Sequence, residues 1–297
     1  MEKKNWIPLL LVIMFFWALM HPLSKMIVGD VPTFLLTSLR FGLGTVTVFA
    51  YLILTKKKIK VDKEDIIPLG IIGIIGNGIP TALYFIGLKM TTATNASILL
   101  NMSPLLIAIL SPLLIGEKLK KMQTFGVVLG FLGMMVVVAN GLDFTNILSS
   151  EYFYGNLIIV SGTIGIALYT IYGKKYVQKY GGFVASSYGI LAAAILMLLA
   201  SIATGEIGAI TTLNSMDWFV IVYLGVLIAG FIYGIWYSSL KVLGPTKASS
   251  FKLLIPVYAT IVAIILLGEM PNLMTIVGGG LVIVGLYFTH DIDLFDL

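Results

Sequence analysis

Three basic side chains lie inside apolar stretches of the sequence, where a charge is costly. Arg40 and Lys252 each lie more than a helical turn inside such a stretch, and His21 directly precedes Pro22. A guanidinium or ammonium group at that depth can bind an anion, and a histidine can carry a proton near neutral pH. These residues therefore predict contact with a substrate carboxylate or phosphate, and His21 is a candidate for proton coupling.

Each of these residues also has a purely structural interpretation. Arg40 could hydrogen-bond the carbonyl groups of neighbouring helices, and Lys252 could extend its ammonium group to the membrane interface. His21 could be a hydrogen-bonded packing residue. The sequence alone leaves these alternatives open.

Polar, aromatic and proline residues complete the set of candidates. Asn101 lies three residues before Pro104, close to a polar substrate or to a carbonyl that the proline releases. Aromatic side chains within apolar stretches can wall a cavity for small amphipathic ligands or simply pack helices together. The predicted substrate-binding residues are Trp17, His21, Arg40, Tyr84, Asn101, Tyr169, Trp236, Tyr237 and Lys252. The predicted hinges are Pro22, Pro104 and Pro256.

The residue types needed for enzyme chemistry are scarce. The chain has no Cys and only two His residues, His21 and His290, and every Asp and Glu falls in a predicted loop or tail. We therefore predict no catalytic site, no metal and no cofactor. No carboxylate is therefore predicted inside the membrane. A desolvated cation needs a carboxylate partner, so this absence disfavours proton-coupled export of cations.

The elements that position these residues are predicted to be membrane-spanning helices. Hydrophobic residues make up 59% of the 297 residues, and charged residues only 11%. Apolar runs of roughly 20 residues can cross a bilayer, and such segments must satisfy their own backbone hydrogen bonds. We predict an all-α integral membrane protein with ten transmembrane helices. The predicted spans are Trp6–Ile27, Thr33–Leu54, Ile66–Leu88, Asn95–Ile115, Met122–Asn140, Gly155–Tyr172, Gly182–Ala203, Trp218–Leu240, Lys247–Leu267 and Asn272–Thr289.

Lysine residues indicate the orientation of these spans. With the N-terminus inside, only Lys25 and Lys89 fall in predicted outer segments, whereas the other loop lysines are cytoplasmic. The sequence therefore predicts a multi-pass protein of the cell (plasma) membrane with both termini cytoplasmic. The net charge of +5 serves topology rather than nucleic-acid binding.

The sequence contains an internal repeat. Tyr84–Gly133 matches Trp236–Gly285 without a gap at a constant offset of 152 residues, which aligns Pro104 with Pro256. We predict two five-helix units, residues 1–140 and 153–290, followed by a short cytoplasmic tail, residues 291–297. Because each unit has an odd number of spans, the second is inverted. Inverted repeats are typical of secondary transporters.

These residues resemble the EamA family of the drug/metabolite transporter superfamily. The likeness rests on the stretch from Ser97 through Ser103-Pro104 to Gly116-Glu117, and on its counterpart from Ser249 through Pro256 to Gly268-Glu269. Trp17-Ala18-Leu19 and Arg40-Phe41 also fit, whereas Ile255 stands where the first unit has Ser103. The resemblance implies a central cavity, formed mainly by the first, third and fourth spans of each unit.

Together these observations predict a secondary transporter that exports small metabolites such as amino acids by alternating access. The alternatives are an exporter of drugs or organic cations and a carrier of phosphorylated metabolites. An enzyme is not predicted. The expected partners are a small-molecule substrate and the lipid bilayer, without nucleic acid; a monomer suffices for this architecture, and a homodimer is the alternative.

Overall fold

The computed structural model describes residues 3–57, 59–115, 120–138, 151–243 and 251–289, and almost all of them are helical. The α-helices of the first half are α1 (Lys3–Ile27), α2 (Thr33–Leu54), α3 (Lys63–Gly73), α4 (Ile79–Met90), α5 (Ala93–Asn101), α6 (Ser103–Ile115) and α7 (Lys121–Val138). Those of the second half are α8 (Glu151–Tyr180), α9 (Gly182–Ala203), α10 (Ser215–Val222), α11 (Tyr233–Leu243), α12 (Leu254–Leu267) and α13 (Leu273–Thr289). Short 3₁₀ turns occupy Glu206–Thr211 and Phe251–Leu253, and π-helical segments occupy Ile74–Gly78 and Tyr223–Ile232.

The described helices are long and apolar enough for a membrane. Among the described residues, seven helical stretches could cross a membrane by length and composition, and some of these stretches join two or three neighbouring elements. Three shorter apolar helices cover Lys121–Val137, Leu254–Leu267 and Leu273–Phe288. Large apolar side chains face outward: Leu54, Leu113 and Leu273 are 75 to 81% exposed. Polar side chains such as His21 and Arg40 are instead buried. This is the arrangement of a multi-pass membrane protein, since lipid solvates the apolar surface.

Several predicted span boundaries are wrong. The third span begins at Lys63 rather than Ile66, so Glu64 and Asp65 lie in the first helical turn instead of in a loop. Carboxylates in the first turn stabilise a helix, because they interact with the positive end of its dipole. The sixth runs from Glu151 to Tyr180 rather than from Gly155 to Tyr172, because no breaker occurs before Gly181, whose φ is +82°.

The eighth and fourth spans also differ from their predicted forms. The eighth begins at Ser215, so that Asp217 closes a capping box in its first turn instead of lying in a loop. The fourth is interrupted at Met102, so that Pro104 lies in the first turn of a new helix, where its missing N–H costs nothing. The predicted end of the fifth span at Asn140 and the predicted start of the ninth at Lys247 lie outside the described residues.

The two halves carry irregularities at matched positions. Shifted by the repeat offset of 152 residues, the π-helical segment Ile74–Gly78 falls within the π-helical segment Tyr223–Ile232. In the same way, the break at Met102 falls where the 3₁₀ turn Phe251–Leu253 gives way to α12 and Pro256. Such irregularities release backbone hydrogen bonds and occur often at functional sites.

Helices α7 and α13, the last of each half, pack closely through glycine. A Cβ atom added at Gly133 would lie 2.6 Å from the carbonyl oxygen of Gly278, and one added at Gly285 would lie 2.7 Å from that of Gly126. The contacts run in opposite directions along the two helices, so the helices cross antiparallel. In the repeat, Gly126 aligns with Gly278 and Gly133 aligns with Gly285. Replacing each glycine by its counterpart therefore turns one contact into the other. This pairing is that of a two-fold symmetric interface.

Candidate functional site

An aromatic cluster gathers residues from three separate helical segments around one ammonium group. The ring of Trp17 on α1 lies 5.3 Å from that of Tyr233 and 6.0 Å from that of Trp236, both on α11. The Nζ atom of Lys252 lies 4.5 Å from the centre of the Trp236 ring and 5.0 Å from that of Trp17. We call Trp17, Tyr233, Trp236 and Lys252 the aromatic cluster. Three of these four residues are predicted site residues.

Arg40 reaches the same cluster from α2. Its Nη2 atom donates a hydrogen bond of 3.0 Å to the hydroxyl oxygen of Tyr233, and its guanidinium group lies 5.4 Å from the Phe41 ring and 5.9 Å from the Phe85 ring. The residue is only 1% exposed. Arg40 thus donates this hydrogen bond to a phenol, and not to a backbone carbonyl group as in the purely structural interpretation. Its Nε atom has no hydrogen-bond partner among the described residues.

His21 and Tyr84 form a second polar pair near Arg40. The Nδ1 atom of His21 lies 2.9 Å from the hydroxyl oxygen of Tyr84, and both residues are buried. Phe85, which faces Arg40, lies 5.4 Å ring to ring from Tyr84. The Nε2 atom of His21 has no hydrogen-bond partner in the described part of the chain. This atom is therefore the polar group of the pair that remains available to bind a ligand or carry a proton.

The remaining predicted site residues have other surroundings. Asn101 donates a hydrogen bond of 2.8 Å from Nδ2 to the carbonyl oxygen of Ser97 in its own helix, rather than to a carbonyl released by Pro104. Tyr169 packs against Gly76 in the first π-helical segment. The backbone of Tyr237 lies on α11, but its side chain is outside the described residues. Helix α1 continues through Pro22.

The connection between α4 and α5 is held from several sides. The Nζ atom of Lys25 donates hydrogen bonds to the carbonyl oxygens of Leu88 at 2.7 Å and Thr91 at 2.6 Å. From the other half of the chain, the carboxylate of Glu269 accepts hydrogen bonds from the backbone N–H groups of Ala93 at 3.0 Å and Thr94 at 3.3 Å. The sequence gives no sign of these contacts, because they join segments that are far apart in the chain.

Two further side-chain hydrogen bonds tie this connection to the second half. The hydroxyl group of Thr91 lies 2.7 Å from Oδ1 of Asn156, and that of Thr275 lies 2.9 Å from Oδ1 of Asn95. A pocket of about 230 Å³ borders the same region, lined by Thr92, Thr94, Tyr152, Glu269, Met270, Pro271, Asn272 and Thr275.

Charge is distributed unevenly over the described residues. The ion pairs found there join Lys179 to Asp62 and Asp65, where α8 ends and α3 begins. The hydrogen bonds that Asp62 accepts from Lys179 and Tyr180 hold its pKa below its usual range. In contrast, Arg40 and Lys252 contact aromatic rings, and neither forms an ion pair within the described ranges. The surroundings of the aromatic cluster therefore carry positive charge that suits an anion.

Comparison with known proteins places this chain among transporters. The family model described as "EamA-like transporter family" matches residues 4–139 and 153–290. A transporter of Archaeoglobus fulgidus, named as uncharacterized, is 30% identical over 286 residues, which cover 96% of this chain and 98% of its own. The uncharacterized transporter YyaM of Bacillus subtilis is 28% identical over 250 residues, which cover 83% of this chain and 80% of its own. A crystal structure with 22% identity superposes with a TM-score of 0.65 over 94% of this chain and 95% of that chain, which shows the fold alone.

Proposed function

This chain belongs to the EamA-like transporter family, and we propose that it is a secondary transporter of small carboxylates such as amino acids. The observation that carries the substrate class is the pair of cations, Arg40 and Lys252, set around the aromatic cluster. Two fixed positive charges favour an anionic group, and the indole rings favour the apolar part of a small amphipathic substrate.

Alternating access follows from the proposal that the two halves are inverted repeats. The antiparallel, symmetric packing of α7 on α13 supports it, as do the π-helical segments at matched positions. Two antiparallel halves can rock about a midplane site to give two nearly equivalent end states. Breaks in the helices near Pro104 and Pro256 supply positions where the backbone can bend. The proposed direction of transport is outward across the plasma membrane, with both termini cytoplasmic.

We assign proton coupling to the His21–Tyr84 pair. The free Nε2 atom of His21 is buried close to Arg40, and the Tyr84 hydroxyl fixes the ring through Nδ1. Proton uptake at Nε2 would place a third positive charge in the same region, which strengthens attraction for an anion.

A carrier of phosphorylated metabolites is the second candidate. It needs two cations at one site, and Arg40 and Lys252 do meet the same aromatic cluster, one through the Tyr233 hydroxyl and the other through the Trp17 ring. A dianionic phosphate group would pair with both cations.

A thermal-shift screen of the purified protein distinguishes these candidates. We expect stabilisation by amino acids, with the shift lost in Lys252→Gln and in Arg40→Gln and retained in Lys179→Gln, whose ion pairs lie at a helix end. Stabilisation by sugar phosphates alone would favour the second candidate. Stabilisation by quaternary ammonium compounds alone would overturn both.

A further inference from the structure

The ammonium group of Lys252 lies against the faces of two indole rings. Its ammonium nitrogen is 4.5 and 5.0 Å from the centres of the Trp236 and Trp17 rings, within the roughly 6 Å over which a ring face attracts a cation. The two indole rings meet edge to face at an interplanar angle of 79°, so they bound the ammonium group from two directions. Tyr233 adds a third ring beside Trp17. Two aromatic faces against one ammonium group, with a third ring packed beside one of them, resemble the aromatic sites that bind substituted ammonium ions.

Other groups do not account for the position of this ammonium. Within the described ranges, Lys252 forms no ion pair and no hydrogen bond, unlike Lys25 and Lys179. It is the middle residue of the 3₁₀ turn Phe251–Leu253, directly before α12, and its side chain is only partly exposed. The contacts that this structure gives it are therefore those to ring faces.

We propose that Trp17, Tyr233 and Trp236 form a latent binding site for a substituted ammonium ion, and that Lys252 occupies this site as a tethered cation and thereby excludes cationic substrates. The inference deepens the proposed function, because it assumes that the aromatic cluster lies in the transport cavity. It gives Lys252 a second role besides attraction of a substrate anion, namely selection against positive charge.

The tethered ammonium excludes a free cation for two physical reasons. Its charge already takes up the attraction of the indole faces, and it repels a second positive charge at short range in surroundings of low dielectric constant. Arg40, bonded to the Tyr233 hydroxyl, adds to that repulsion. Removal of the lysine charge leaves the ring faces without their cation. An aromatic box then has the electrostatic complementarity that a quaternary ammonium ion requires.

Choline and its neutral isostere 3,3-dimethylbutanol test this proposal, because they have the same shape and differ in charge. Binding is measured by calorimetry on the purified full-length protein. We expect Lys252→Met, which keeps the aliphatic length, to bind choline on the order of tenfold more tightly than the wild type does. We expect no such gain for dimethylbutanol. Lys252→Arg keeps the charge and should bind choline as weakly as the wild type.

Two further variants keep the test decisive. The double variant Trp236→Leu/Lys252→Met should lose the gain in choline binding, because it lacks one of the indole rings. Lys252→Gln carries a second neutral side chain and replaces Lys252→Met in the test should that variant fail to fold. Equal gains for choline and dimethylbutanol, or no gain in either folded neutral variant, would overturn the inference. Failure of the proposed function would be seen in a different measurement, because the wild type would then show no thermal stabilisation by amino acids.

Discussion

At the scale of single residues, buried polar groups are used in pairs. Tyr84 is buried against His21, and Tyr233 accepts a hydrogen bond from Arg40, so these two side chains each have a phenol beside them. A phenol can fix the orientation of a cation or an imidazole without adding negative charge. The site thereby keeps its net positive character, which suits the small carboxylate proposed as substrate.

Replacement of Tyr84 by Phe tests the first of these pairs. Tyr84→Phe leaves the buried Nδ1 atom of His21 without its partner, and we expect a loss of about 1 to 3 kcal/mol in the free energy of unfolding. Thermal unfolding in detergent measures the change. Tyr172→Phe is the control, because Tyr172 is 46% exposed and should change stability by less than about 0.5 kcal/mol. Equal stability of the two variants would contradict the importance of this hydrogen bond.

Residue types and spacing allowed part of the cluster to be predicted. Arg40, Lys252 and the two tryptophans stand out, because a charge or a large polar-edged ring inside an apolar stretch is unusual. Tyr233 was missed, since it is one of three aromatic residues in α11 and only its contact with Arg40 distinguishes it. Asn101 was selected for its spacing from Pro104, but the break at Met102 changed the local geometry and its amide bonds to Ser97 instead.

At the scale of elements, carboxylates from the second half of the chain bind the first turns of helices in the first half, alone at α2 and beside the local Thr92 cap at α5. The start of α5 receives the carboxylate of Glu269, which is more than 170 residues away in sequence, and the start of α2 receives that of Glu206 in the same way. Both carboxylates meet free backbone N–H groups and the positive end of a helix dipole. Such partners cannot be read from the sequence around the helix, because the fold alone brings them together.

Neutralisation of Glu269 tests this cap. Glu269→Gln retains a single acceptor oxygen and loses the charge, so we expect faster hydrogen–deuterium exchange at the backbone amides of Ala93 and Thr94 and a loss of about 0.5 to 2 kcal/mol in stability. Glu64→Gln, at an exposed position in the first turn of α3, is the control and should change neither measurement appreciably. Unchanged exchange at Ala93 and Thr94 would show that the carboxylate does not hold this helix.

The α7–α13 crossing allows a sharper comparison, because it contains glycines with and without close neighbours. Gly133→Ala would bring a Cβ atom within 2.6 Å of a backbone carbonyl oxygen on α13, and we expect it to cost about 1 to 3 kcal/mol by forcing the helices apart. In contrast, Gly280→Ala meets nothing within 4 Å and should be neutral or slightly stabilising. Thermal unfolding of both variants measures the difference. Similar effects in the two would contradict close packing at this crossing.

At the scale of the whole molecule, a duplicated sequence explains features that single helices do not. The match of Tyr84–Gly133 with Trp236–Gly285 aligns Gly126 with Gly278 and Gly133 with Gly285 in the last helix of each half, and these glycines pack together. Helix ends were predicted less well. The length of α8 depends on the absence of a breaker before Gly181 and on contacts of Lys179 and Tyr180 with α3, which are tertiary.

Labelling of two single cysteines at corresponding places in the halves is the sharpest test of whether the halves are inverted. The chain contains no native cysteine, so Lys118→Cys and Met270→Cys each provide one thiol, after Gly116-Glu117 and Gly268-Glu269 respectively. We expect an impermeant maleimide added to intact cells to label the cysteine at position 270 and to label that at position 118 only after permeabilisation. Labelling of both from the same side would contradict inverted halves, and with them the proposed alternating access.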